Sequence, residues 1–215
     1  MDPAAYDAWY DTPRGRWIGA TEFALAARLL APAAGSSLLD VGCGTGWFTR
    51  RFAAADLCAT GLDPNPAWLD YARRRGGPAI DWVEGDARAL PFSEASFDHV
   101  VSIAALCFID DERAPLAEIV RVTRRRFAVG SLNRASLLHR HKAGRGAYAG
   151  ARWHKAAEVR ALFDGLPVRR LTLRSAVFLP GGGAAAHVLE PMLPGCLPYG
   201  ALLIAAGEPA RALHP

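Results

Sequence analysis

The chain has 215 residues, a length that suits one domain and lets about 70% of the unfolded surface be buried. With 51% hydrophobic and 21% charged residues it is too apolar for a disordered chain, and no apolar run reaches the ~20 residues of a membrane span. The net charge of +4 comes almost wholly from arginine, since Lys142 and Lys155 are the only lysines, so a nucleic-acid partner is disfavoured and no membrane partner is expected.

The opening residues lack the basic-then-apolar order of a secretory signal, which makes a cytoplasmic enzyme the default expectation. Cys43, Cys58, Cys107 and Cys196 have no two-residue spacing, so neither a metal site nor a disulfide is expected, and the thiols read as small core residues.

Residues 1–20 carry Tyr6, Trp9, Tyr10, Arg14 and Trp17, too many large side chains for a loose tail, and read as a lid candidate. Thr21 to Leu30 repeats apolar residues at helical spacing, with Thr21 as N-cap. Ser37 to Val41 is a short apolar strand, followed by Gly42-Cys43-Gly44-Thr45-Gly46 and a helix from Trp47 to Ala55. A second strand ends at Asp63, and Asn65 and Pro66 cap and open the next helix, which stops at Gly76-Gly77. Strands near Ala79–Glu84, Phe97–Ile103 and Arg126–Leu132 follow, with a helix from Asp111 to Arg124 before the last of them. The segment 133–155 breaks the rhythm and reads as an insertion covering a substrate site. A helix from Ala156 to Phe163, a strand from Val168 to Leu179, a Gly181-Gly182-Gly183 turn, a short helix to Leu193 and a strand from Tyr199 to Ala206 complete the chain. The expected fold is therefore α/β and doubly wound: a mostly parallel seven-stranded sheet with antiparallel pairing at one edge and helices on both faces.

Glycines at 42, 44 and 46 strip side chains from a strand-to-helix turn, where a ligand can reach the unpaired N–H groups of the helix. A dinucleotide fingerprint needs a further glycine at position 47, which is Trp47, so a nicotinamide cofactor is disfavoured. Asp63 stands nineteen positions after Gly44 at a strand end, where a carboxylate accepts from both ribose hydroxyls; capping the following helix is the alternative. Asp110-Asp111-Glu112 reads as a helix cap rather than a metal cluster, and both arginine triplets, at 73–75 and 124–126, read as helix C-termini.

These residues resemble a family. Leu38-Leu39-Asp40-Val41-Gly42-Cys43-Gly44-Thr45-Gly46 is similar to the first motif of class I S-adenosylmethionine-dependent methyltransferases, which have a Rossmann-like sheet. Glu84-Gly85-Asp86-Ala87 with Leu90-Pro91-Phe92, and Ser96-Phe97-Asp98-His99-Val100-Val101, resemble later motifs, so the likeness spans about residues 36 to 132. The nearest type is the group with ubiquinone and menaquinone biosynthesis methyltransferases. The resemblance implies that Gly42, Cys43, Gly44 and Gly46 hold the methionine end of the cofactor. It further implies that Asp40 orients the turn and the ammonium, that Asp63 and Pro64 flank the ribose, and that Asp86 and Ala87 hold the adenine. Ser102 and Ile103 would end beneath the sulfonium, and Tyr10 and Arg14 would close over the carboxylate.

The implied reaction is methyl transfer from S-adenosylmethionine to a small-molecule acceptor, with S-adenosylhomocysteine as product. O-, C- or S-methylation is favoured, because the Asn-Pro-Pro-aromatic motif of many amine methylases is absent after the fourth strand. RNA or protein methylation and a non-catalytic binding module are the alternatives. A base is optional for this chemistry, and the candidates are His139, His141, Tyr148 and His154. His99 reads as a satisfied core residue and His187 as part of an outer helix. A monomer or homodimer is expected.

Overall fold

Seven short apolar runs pair into one sheet in the order β3-β2-β1-β4-β5-β7-β6. They are β1 (Ser37–Val41), β2 (Cys58–Asp63), β3 (Asp81–Glu84), β4 (Phe97–Ile103), β5 (Thr123–Leu132), β6 (Val168–Ala176) and β7 (Leu202–Pro209). The structure is a computed structural model and describes residues 2–77 and 79–210. The first five strands are parallel, and β7 runs antiparallel between β5 and β6. The chain winds outward from β1 to β3 and then crosses back to β4 on the other side of β1. That reversal opens a crevice beyond the carboxyl ends of β1 and β4, where ligands of open α/β sheets bind.

Alternate residues serve opposite faces of the sheet. Leu38, Val101, Ala128 and Ile204 pack with Leu25, Ala26 and Leu30 of α2 (Pro13–Leu30) and with Phe48 and Phe52 of α3 (Trp47–Ala54). Their neighbours Leu39, Val100, Phe127 and Leu203 pack with Leu116 and Ile119 of α5 (Arg113–Val122) and Val159 of α7 (Ala156–Ala161). The remaining helices are α1 (Pro3–Trp9), α4 (Pro66–Arg74), α6 (Leu137–Lys142) and α8 (Ala184–Leu189). No helix among the described residues is long and apolar enough to cross a membrane.

Several local expectations need correction. The helix expected from Thr21 begins at Pro13: Thr12 is its cap, accepting the Gly15 N–H at 3.0 Å, while the Thr21 hydroxyl donates to Trp17 inside the helix. Gly15 and Gly19 concealed the helical pattern, and Gly19 is needed there because a Cβ would stand 2.4 Å from the Trp47 ring. Arg73 and Arg74 do close α4, but Arg124, Arg125 and Arg126 lie in β5, because α5 passes into the strand without a loop. There they pair with Asp98 and Glu208 instead of a helix end. Of the acidic triplet only Asp111 caps, accepting the Arg113 N–H; Asp110 pairs with Arg152 and Glu112 with His154. β6 stops at Ala176 because Val177 takes φ 65, held by Glu190, whose carboxylate receives the N–H groups of Val177 and Phe178. Cys58 and Cys196 are exposed rather than core. His99 is buried in β4, but its Nδ1 has no partner among the described residues, and burial pushes its pKa down.

The N-terminal helix is fastened by a buried acid. Asp7 of α1, 2% exposed, receives Arg50 of α3 at 3.3 Å, Arg75 at 3.0 Å and the Tyr71 hydroxyl at 3.3 Å. Arg50 also donates to the Thr45 carbonyl, so the clasp reaches the glycine turn. Removing Asp7 strands the largely buried Arg50. Asp7→Ala is expected to lower the unfolding free energy by about 2 to 3 kcal/mol in urea titrations.

Candidate active site

The turn after β1 is closed mostly by its own backbone. The N–H groups of Gly42 and Cys43 donate to the Leu62 carbonyl at 2.7 and 3.0 Å, and Gly46 donates to Cys43 at 2.9 Å. Gly44 donates to Asp63 Oδ2 at 2.9 Å, and the other Asp63 oxygen accepts from Asn65 at 2.9 Å. Four of the turn's amides are thus already engaged. Gly42 and Gly44 have φ of 74° and 56°, where a side chain would be strained. Gly42 has a second reason, since its Cβ would fall 2.4 Å from that of Ala105.

Beneath the turn Asp40 is 2% exposed and accepts the Thr49 hydroxyl at 2.6 Å. Burial drives its carboxyl up to about 7, with the charge of Asp63 acting in the same direction. Burial also raises Asp63, against the pull of its two amide bonds. The Cys43 thiol is pushed well up by burial and the nearby acids, so it stays protonated. The Thr45 hydroxyl is buried without a partner among the described residues.

Turn, strand ends and covering elements surround a cavity of about 1270 Å³. Tyr6 and Trp9 of α1, and Arg14, Ile18 and Glu22 of α2, form one wall. Tyr10 is stacked on Trp47 at 4.3 Å and edge-on to Phe48. Residues 145–149 and Leu138 of the insertion line it as well, and Trp68 covers Gly44.

The methyltransferase domain family matches residues 39–126. An uncharacterized protein of Mycobacterium tuberculosis is 38% identical over 204 residues, covering 86% of this chain and 67% of its own. The chain belongs to the class I S-adenosylmethionine-dependent methyltransferases. A demethylmenaquinone methyltransferase of Renibacterium salmoninarum is 40% identical over 90 residues, which are 42% of this chain and 38% of that one. A solved S-adenosylmethionine-dependent methyltransferase of Thermotoga maritima, described as a possible histamine N-methyltransferase, superposes with a TM-score of 0.77 at 23% identity. It covers 95% of this chain and 94% of its own.

The residues of this methyltransferase suit its cofactor. Asp40 and Asp63 put two acids on the cavity lining, which suits a cationic ligand, and the Thr45 hydroxyl, without a partner among the described residues, adds a polar group at the turn. Tyr10, Arg14, Asp40, Gly42, Cys43, Gly44, Asp63, Pro64, Asp86, Ala87 and Ile103 all line the cavity. Gly46 and Ser102 are not among its lining residues. Gly46 faces Trp82, where a Cβ would come within 2.2 Å, and Ser102 is fully buried in β4, its hydroxyl without a partner among the described residues. Asp86 does not stand free: Arg88 grips its carboxylate at 2.6 Å and holds it below the usual range.

Among the four candidate bases only Tyr148 reaches this cavity. His139 packs edge-on against Trp153 at 5.1 Å, His141 lines a smaller neighbouring cavity, and the His154 Nε2 lies 2.8 Å from Glu112. Sequence reasoning missed Trp68 and Glu22. A signal for Glu22 existed, because Arg14, Ile18 and Glu22 recur every fourth residue, but the helix carrying them was read as starting at Thr21.

Asp40 gives a pH signature. Its pKa rises from an unfolded 3.8 to about 7, so the native state holds the extra proton between those values. Its contribution to stability is full below the unfolded value and is lost as pH rises through about 7. Asp40→Asn is expected to flatten that fall, measured as the denaturation midpoint of ligand-free protein across the same window.

Proposed function

We propose that this methyltransferase transfers a methyl group to a small organic acceptor by O-, C- or S-methylation, with residues 1–20 and 133–155 enclosing the site. The observation that carries the reading is the cavity. At about 1270 Å³ it exceeds the ~300–1,000 Å³ usual for one ligand, which leaves space for an acceptor beside the cofactor. Its walls are formed by α1, α2 and the insertion, elements that would have to part for a folded protein or an RNA. The naming of a relative for demethylmenaquinone, a small molecule, is in keeping with this.

When bound, S-adenosylmethionine supplies an activated methyl group on a sulfonium. Asp40 draws the ligand's ammonium and sulfonium charges through a low-dielectric floor. With four turn amides already bonded, the ligand carboxylate is met by Arg14, whose Nε is spent on the Pro180 carbonyl while its terminal nitrogens remain. Asp63 accepts the ribose hydroxyls on the lone pairs its amide bonds leave over. Asp86 and the Ala87 backbone hold the adenine, with Arg88 fixing the acid's orientation. The aromatic and aliphatic wall excludes water, and alignment of nucleophile, methyl carbon and sulfur then supplies most of the rate.

Protein incubated with labelled cofactor and fractionated cell extract is expected to place label in small molecules; label in RNA or protein would overturn the reading. Asp63→Ala is expected to weaken S-adenosylhomocysteine binding by about 1.5 to 3 kcal/mol in calorimetric titration. Gly44→Val is expected to cost more, since it brings a branched side chain against Trp68 at a left-handed position.

A further inference from the structure

Five acids line the cavity, and four of them have partners. Asp40 holds Thr49, Asp63 the amides of Gly44 and Asn65, Asp86 Arg88, and Asp110 Arg152. Glu22 has no hydrogen bond or ion pair among the described residues, although it lies on the same wall. It shares a helix face with Arg14 and Ile18 and stands eight residues, about 12 Å of helix rise, beyond Arg14. An unpaired carboxyl kept in an apolar wall is a mark of a ligand-facing group.

The groups near it narrow the ligand. Tyr6 of α1, Tyr10 at its C-cap and Tyr148 of the insertion all feel its charge, and none is a cation. Asp40 lies on the same cavity floor, and Arg14, tied to Pro180, is the basic group on its own helix face. Burial drives the Glu22 carboxyl up to about 8. A phenolic hydroxyl titrates near 10, so proton transfer to Glu22 faces a gap of about 2 units instead of about 6. An alkylamine would arrive as an ammonium, and an ionised Glu22 would hold it protonated and non-nucleophilic. The surrounding Trp9, Ile18, Leu132, Leu138 and Val177 offer an apolar bed for an aromatic body.

We propose that Glu22 binds the reacting hydroxyl of a phenolic or enolic acceptor and takes its proton as the methyl group is transferred. This rests on the small-molecule reading above and names the acceptor class. The hydroxyl proton passes to the Glu22 carboxylate, an oxygen lone pair forms the new O–CH₃ bond, and the electron pair of the broken S–CH₃ bond stays on sulfur. The proton then leaves Glu22 for water.

The test offers catechol, 4-methylcatechol and 2-naphthol, beside benzylamine and phenethylamine, to the protein with S-adenosylmethionine, and reads products by mass. Methylated phenols are expected, with Glu22→Gln lowering kcat by about 10²–10³-fold and removing the limb of the pH profile near 8, while any limb from Asp40 nearer 7 persists. Binding of 2-naphthol to protein loaded with S-adenosylhomocysteine, measured at pH above 8 by calorimetry, should weaken about tenfold in the variant. Affinity for S-adenosylhomocysteine itself should stay within about threefold, which also reports that the variant is folded. Full activity of Glu22→Gln, turnover of the amines but not the phenols, or no binding or methylation of any phenol overturns the proposal. Failure of the wild-type protein to bind S-adenosylhomocysteine brings down the reading beneath it as well.

Discussion

One carboxylate couples the two loops on which the site is built. Asp63, at the end of β2, receives the Gly44 N–H on one oxygen and the Asn65 N–H on the other. The first bond belongs to the turn after β1 and the second to the turn before α4, so a single side chain sets the distance between them. Because β1 and β2 pair in parallel with Asp40 opposite Gly61, the glycine turn and Asp63 emerge side by side at the carboxyl edge. Everything placed by those turns inherits that spacing: Asp40 below, Trp68 above, and the cavity between β1 and β4.

The turn's internal bonding changes how its glycines should be understood. Bare backbone at 42 and 46 is required by Ala105 and Trp82, protein atoms that occupy the places of the missing side chains. Gly42, Cys43, Gly44 and Thr45 all line the cavity, and at Gly44 the Trp68 ring stands 3.1 Å from the place of a side chain. A glycine-rich bend therefore does two jobs, close packing of strand against helix and, on the function proposed above, approach of a cofactor along residues 42–45.

The parallel half was legible because its strands are apolar runs bounded by turn residues; Ser37–Val41 and Phe97–Ile103 coincide with their expected bounds. Asn65 and Pro66 announced α4 through cap chemistry alone, and the Asn65 side chain accepts the Ala67 N–H as that chemistry requires. The start of α2 was hidden because Gly15 and Gly19 interrupt its pattern, Gly15 because it packs against the Trp9 carbonyl at the end of α1 and Gly19 because of a neighbour distant in sequence, Trp47. Histidines of the insertion attracted attention for their chemistry, yet His139 and His154 have found Trp153 and Glu112. Pairings across 14 and 42 positions leave no local trace, so a residue type suited to catalysis says little until its partners are known.

The same asymmetry explains the cavity's electrostatics. Burial raises the proton affinity of a carboxyl, so Asp40, Asp63 and Glu22 all sit above the usual carboxylate range, with the charge of Asp63 adding to the rise at Asp40. Such a site is costly to ionise when it contains no cation and much easier to ionise when one enters. A sulfonium carrying an ammonium would provide that cation beside Asp40, while Glu22 stands on the α2 wall of the same cavity. On the proposals above one cavity serves two tasks: Asp40 would hold positive charge in place, and Glu22 would accept a proton.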